Sequence, residues 1–181
     1  MVMQIHRLVA HPANPSDAVD EVIATIRRRE HFLLVGFRPL GRRDEIAWPA
    51  AQAPGVSDGL WRHTCFEAFV SAPGSRGYVE LNMAPSSRWA AYRFDDYRAG
   101  MRPAEAAPTG RFVWRRAVGV LRTRWDMAEL PHDADWELGL SAVMETRDGS
   151  KSYFALAHAA GPPDFHNRDC FTATLPAPTD T

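Results

Sequence analysis

The chain has 181 residues, with 21 basic and 22 acidic side chains and a formal net charge of −1. That is the size of one domain burying roughly 70% of its unfolded surface, so neither a disulfide nor a metal is needed for folding. The balanced charge gives no reason to expect nucleic acid or a membrane as partner, and no run approaches the about 18 apolar residues of a membrane-spanning helix.

The opening stretch, MVMQIHRLVAHPANPSD, lacks a basic leader and an apolar h-region, so a cytoplasmic address is expected. Cys65 and Cys170 are the only cysteines and are expected as buried free thiols. Gln4–Ala10 reads as a first strand, with Pro12 and Pro15 marking the loop behind it. Val19–Arg29 is ambiguous. Val19, Val22, Ile23 and Ile26 fit helical spacing with Ser16 as N-cap, whereas the β-branched content suits a strand. Phe32–Phe37 has strand character. Gly41–Gly59 is a long loop containing Trp48-Pro49 and Pro54-Gly55; loops of this length carry function or short structure of their own.

Three strands then follow closely: Cys65–Val70, Tyr78–Met83 and Trp89–Phe94. The Gly-, Pro- and Ser-rich breaks Ser71–Gly77 and Ala84–Arg88 separate them. Asp95–Gly110 is a second long connection. Phe112–Leu121 reads as a strand interrupted at Arg115-Arg116, and Trp125–Pro131 as irregular. Trp136–Glu145 and Ser152–His158 form a hairpin around Asp148-Gly149. Gly161–Phe171 is a Pro-fixed loop leading to a last strand, Cys170–Leu175. One domain over residues 1–175 is expected, with a flexible tail over 176–181. Many short strands and no clear long helix predict an all-β protein, an antiparallel sandwich or barrel.

Side chains alternate across a strand. Phe66, Ala68 and Val70 should therefore face the core with Val79, Leu81 and Met83. The opposite face collects Cys65, Glu67, Phe69, Tyr78, Glu80 and Asn82, an unusual mixture for a solvated surface. A register that pairs Phe69 with Tyr78 sets Glu67 opposite Glu80, and directly opposed like charges destabilise a sheet. Arg93 would compensate if Asn82 pairs with Ala91. The expected row is Glu67–Glu80–Arg93, edged by Tyr78, Asn82 and Trp89. It is either an internally neutralised charge ladder or a ligand-binding face. Tyr92 and Phe94 are expected in the core with Ala90.

No GxSxG elbow, P-loop, GxGxxG after a strand, HExxH or CxxC occurs. His166 and Cys170, with Asp164 and Asp169 nearby, lack the second ligand cluster that a metal site requires. Asp164 capping a turn and His166 making a structural hydrogen bond is the simpler reading. Glu67 and Glu80 on one wall do not flank a bond as glycoside hydrolysis demands. The residues lean away from an enzyme.

The segments LWRHTCFEAFV, YVELNMAPSSRWAAYRFDDYRAGM and GLSAVMETRDGSKSYFALAHAAGPPDFHNRDCF resemble the bacterial DOMON-like proteins. These are related to family 9 carbohydrate-binding modules and share their jelly-roll-like antiparallel β-sandwich. The likeness covers most of Leu60–Phe171; the first forty residues match in pattern only. It implies strand rather than helix for Val22–Arg27. It also implies a ligand-binding module without a reaction, for sugar or haem. By position, Trp61, Glu67, Glu80, Asn82 and Trp89 would take the sugar-binding parts.

Residue chemistry points the same way. A pyranose has an apolar face for an aromatic platform and a hydroxyl rim for carboxylates, amides, Arg or His. Trp61, expected to begin a strand at a loop mouth, is the best platform, with Trp89, Tyr92, Tyr78 and Phe69 as further candidates. His158 is expected at a strand end, facing with Phe154 and Leu156 and able to reach the site mouth with His166. No cofactor is expected in this reading. The alternative, noncovalent haem, would need His and Met ligands, for which Met83, Met101, His158 and His166 are the available types. A third reading is a protein-interaction domain using its sheet or long loops.

Overall fold

The computed structural model describes residues 3–110 and 112–178. Among the described residues fourteen strands build a single, strongly curled sheet. The first three are β1 (Gln4–Ala10), β2 (Val19–Arg29) and β3 (Phe32–Gly41), followed by the short β4 (Gly55–Val56). The central three are β5 (Cys65–Ser71), β6 (Tyr78–Met83) and β7 (Arg88–Phe94). The short strands β8 (Arg102–Pro103), β9 (Ala107–Pro108) and β10 (Val113–Arg115) lead to β11 (Val120–Asp126). The chain closes with β12 (Trp136–Glu145), β13 (Lys151–Ala155) and β14 (Ala173–Leu175).

The main strand order is β10-β11-β3-β2-β1-β13-β12-β5-β6-β7-β4. All of these pairings are antiparallel except β4 with β7. β1 makes the turn between layers. Its residues Gln4–Leu8 pair with β2, while Val9 and Ala10 pair with β13. The sheet thereby folds over itself into the expected antiparallel β-sandwich. No helix among the described residues is long and apolar enough to cross a membrane.

β2 is a strand, as the resemblance implied and the apolar spacing did not. Its buried positions run Val22, Ala24, Ile26 and Arg28, a period of two. Ile23, which completed the helical spacing, sits only half-buried on the opposite face. Ser16 does accept a hydrogen bond from the Val19 amide (3.0 Å), but the turn it stabilises opens a strand. Buried Arg28 donates to three backbone carbonyls in 131–134 and lies 3.7 Å over the Trp136 ring. A cation at a core-facing strand position is tolerated because its donors are satisfied.

The core between the layers has the predicted inner residues. Phe66, Ala68, Val70, Val79, Leu81 and Met83 are all fully buried. Phe37 of β3 stacks on Phe66 of β5 at 5.0 Å, closing the layers on one another. Trp125 of β11 donates its indole N–H to the Met83 sulfur at 3.4 Å.

Several boundaries differ from the sequence reading. Trp125 lies within a regular strand instead of opening an irregular stretch, and Arg116–Val118 is a 3-10 turn between β10 and β11. β13 stops at Ala155, and Cys170 lies in a 3-10 turn before β14. The loop after β3 carries a 3-10 turn at Arg43–Glu45 and the short β4. Within the expected tail the Ala177 amide donates to Asp135 at 2.9 Å; residues 179–181 of it lie outside the described residues. Both cysteines are buried and free.

Candidate functional site

The three central strands form the expected antiparallel meander, but its register corrects the expected charge row. Glu67 pairs with Asn82 and Phe69 with Glu80, two residues from the expected match. The hairpin closes early because Ser71 joins β5 and its hydroxyl donates to the Gly77 carbonyl at 2.8 Å. A shift of two keeps every side chain on its predicted face. It also places the two carboxyls diagonally, relieving the direct like-charge opposition.

The next pairing is off by one. Glu80 lies opposite Tyr92, and Arg93 opposite Val79. A one-residue slip turns every side chain of the strand over. Arg93 therefore leaves the row for the inner face, where it bonds Glu129 at 3.1 Å. Trp89 goes with it and packs edge-on to Trp125 at 5.5 Å. Tyr92 and Phe94, expected in the main core, instead join Phe69, Tyr78 and Ala90 in an aromatic cluster on the outer face. The slip arises at the turn, where the Ala84 amide bonds the Arg88 carbonyl at 2.9 Å and Ser87 adopts a left-handed φ of 75°. The strand thus starts one residue sooner, at Arg88.

Over this outer face lies a cavity of about 410 Å³. Its floor is Glu67, Phe69, Glu80 and Phe94 from the central strands, with Val143 and Tyr153 from β12 and β13. Arg98 and Met101 come from the loop after β7, and Pro163, Phe165 and His166 from the loop after β13. Trp61 stands half-buried at the edge. It belongs to a 3-10 turn, Leu60–Arg62, rather than to a strand, and meets Tyr92 edge-on at 5.9 Å. Tyr92 is held by a hydrogen bond to Asp58; burial and that bond keep its phenol above the ordinary range.

The floor is buried and acidic. Glu67 is 3% exposed and Glu80 5%. Ser141 donates to Glu67 Oε2 at 2.8 Å, and Asn82 Nδ2 to Glu80 Oε1 at 2.7 Å. Asn82 in turn accepts a weak bond from the Cys65 thiol at 3.7 Å. Burial pushes Glu67 well above the ordinary carboxylate range, and the charge of Glu80 pushes it further against the Ser141 bond. Burial also raises Glu80, opposed by Asn82 and by the positive charge of Arg98. Removing a carboxylate from water favours its protonated form, and a second carboxylate adds to the cost.

Two loops are tied over this floor. Tyr97 donates to Asp164 Oδ2 at 2.7 Å and the Arg98 guanidinium to Oδ1 at 2.8 Å, while the His166 amide also reaches Oδ1 at 3.3 Å. Burial opposes ionisation of Asp164, yet the Tyr97 and Arg98 bonds outweigh it and hold its pKa below the usual value. Asp164 thus caps its turn as expected and also clasps the opposite loop. Phe171 anchors the far end of its loop against β12, where a Cβ on Gly139 would meet the ring at 2.9 Å.

Tyr78 is buried, stacks on Phe94 at 4.9 Å, and accepts from the Arg98 amide at 3.2 Å. Its hydroxyl meets His166 Nδ1 at 2.7 Å. Burial, and secondarily the charge of Arg98, lower the His166 pKa to about 4, so the ring is neutral at physiological pH. The other ring nitrogen, Nε2, faces Glu80 Oε2, 3.8 Å away.

Of the nine residues singled out in the sequence, Trp61, Glu67, Glu80 and His166 line the cavity, with Tyr78 and Asn82 bonded directly behind them. Trp89, Arg93 and His158 lie elsewhere. His158 sits beyond the end of β13, bonds the Val9 carbonyl at 2.8 Å and packs on His11 at 4.8 Å. Met83 belongs to the inner core, whereas Met101 is at the cavity rim. Among the described residues, no group of three His, Cys, Asp or Glu gathers as a metal site.

Sequence reasoning missed Arg98, Val143, Tyr153 and Phe165. Strict alternation along the β12–β13 hairpin, where Val143 pairs with Tyr153, carried a signal for two of them. Nothing in the pattern marks Arg98, which sits in a loop at a positive φ of 50°.

No protein-family model matches the sequence, and no curated protein matches it. Solved structures do. One is a Bacteroides uniformis protein described as a putative carbohydrate-binding protein, 15% identical with a TM-score of 0.64, covering 96% of this chain and 86% of that one. Another is a family 9 carbohydrate-binding module from Caldicellulosiruptor kristjanssonii in complex with cellotriose, 8% identical with a TM-score of 0.52. That match covers 93% of this chain and 80% of the module. The chain therefore has the all-β, curled and mainly antiparallel fold of a family 9 carbohydrate-binding module.

Proposed function

We propose that the chain is a carbohydrate-binding module of the bacterial DOMON-like group, holding a small sugar in the cavity over β5, β6 and β7. One observation carries this reading. The half-buried Trp61 stands at the edge of a floor in which two buried carboxyls each keep one oxygen without a protein hydrogen bond among the described residues. An apolar platform beside a few convergent polar groups is the arrangement that orients a small polar ligand. The solved structures of similar fold, one described as carbohydrate-binding and one bound to cellotriose, support the same class of ligand.

Paired epimers test it by calorimetry and thermal shift. High sugar concentrations stabilise any fold through exclusion, so only a difference within a pair counts. One epimer at 100 times its Kd should add about 2.7 kcal/mol of stability that its partner does not. Trp61→Ala and Glu80→Gln should each remove that difference. Equal shifts from every sugar would sink the proposal.

A further inference from the structure

We propose that this cavity selects a cationic sugar: an amino sugar whose free ammonium sits between Glu67 Oε1 and Glu80 Oε2. The inference rests on the carbohydrate reading above and narrows its ligand class. It starts from hydrogen-bond accounting. Ser141 occupies Glu67 Oε2 and Asn82 occupies Glu80 Oε1. Among the described residues the other two oxygens have no hydrogen bond, and neither is sealed from solvent as an orphaned buried atom. Both therefore open to the cavity.

The floor holds two acids that burial and their mutual repulsion push toward their protonated forms, and a cation between them would favour both ionised. Among the described residues Arg98 is the cation lining the cavity, and its guanidinium is already bonded to Asp164. His166 is neutral and stands 3.8 Å from Glu80, too far for a hydrogen bond. Two buried acids thus face the ligand space with no free cation among the described residues. Hydroxyls could donate to the open oxygens but bring no charge. An ammonium brings three donors and a positive charge, and charge-assisted bonds are the stronger kind. The walls suit the same group, since Phe69, Phe94, Phe165 and Trp61 line the space and aromatic faces attract cations. A cavity of about 410 Å³ lies within the usual range for small-ligand sites.

The test is calorimetry on the full chain at pH 7. Glucosamine, galactosamine and mannosamine are each compared with the parent hexose, the N-acetyl derivative and the matching uronic acid. Cyclohexylamine serves as an amine without a sugar ring. At least one amino hexose should bind tenfold or more tighter than its parent, its N-acetyl form and cyclohexylamine. Glu67→Gln, which keeps the size and removes the charge, should reduce that preference at least fivefold. If that variant fails to fold, raising the salt from 50 to 500 mM on the wild-type protein should narrow the preference. A parent hexose or uronic acid that binds as well as the amine overturns the cation inference and leaves the carbohydrate reading standing. Cyclohexylamine binding as tightly as the best amino sugar overturns the amino-sugar assignment, and no sugar binding at all overturns both readings.

Discussion

The inner and outer faces of β5 and β6 are buried to the same depth and do opposite things. Every residue of both strands is buried, including Glu67, Glu80 and Asn82. The inner face is roofed by another layer of the same sheet, and its side chains are apolar and closely stacked, as Phe37 on Phe66 shows. The outer face is roofed by two loops joined mainly through Asp164. Burial alone does not separate a core from a site here. The nature of the roof does: a sheet layer is held by a ladder of backbone bonds, whereas loops held by a few partly exposed side chains open at low cost.

The largest effect should fall on the inner face. Phe66→Ala leaves a cavity between the layers and should cost about 3–5 kcal/mol in chemical denaturation. A loss below about 1 kcal/mol would break the distinction between the faces. On the outer face the sign should reverse. Glu67→Gln should stabilise the protein above neutral pH by roughly 1–3 kcal/mol, since each unit of pKa shift carries about 1.4 kcal/mol. The folded pKa of Glu67 is raised, so the unfolded chain loses its proton first as pH rises. Its penalty is absent below about 4.5, grows through neutrality and levels off above the folded value.

His166 supplies the opposite limb. Its folded pKa is lowered to about 4 from 6.5, so stability should fall as pH drops through that window. His6 and His158, also lowered by burial, add to this limb. Melting temperature against pH should therefore be dome-shaped. Glu67→Gln should flatten the alkaline side and His166→Asn should soften the acid side.

Smaller effects sharpen the contrast. Asp164→Asn unfastens the two loops and should cost less than about 1 kcal/mol, as partly exposed ion pairs do. Amide exchange over residues 96–100 should nevertheless accelerate, while that of the inner strands stays unchanged. Arg93→Ala should be the mildest. Its half-buried pair with Glu129 is worth at most about 1 kcal/mol, and sugar affinity should not change because the side chain faces away from the cavity. A loss of affinity there would contradict the register of β7.

The period-two pattern of β5 and β6 was enough to divide Phe66, Ala68 and Val70 from Glu67 and Phe69, because alternation is a local property of extended backbone. It survived a two-residue error in register for the same reason. In β7 the identical rule failed. The turn before it is one residue tighter than the loop composition suggested, and parity cannot absorb a shift of one. Arg93 and Tyr92 exchanged faces as a result. In β2 the apolar residues fit two periods, and packing against the opposite layer selected the strand.

The sequence by itself determined an all-β chain, its main strands, its apolar inner face and the presence of two carboxyls where a core would not want them. Those follow from neighbouring residues and backbone sterics. Only the tertiary structure decided that the carboxyls are roofed, that Arg98 and His166 line their cavity, and that Trp89, Arg93 and His158 do not. These depend on turn geometry and on loops more than 60 residues apart, Tyr97 and Arg98 against Asp164, whose meeting no local pattern encodes.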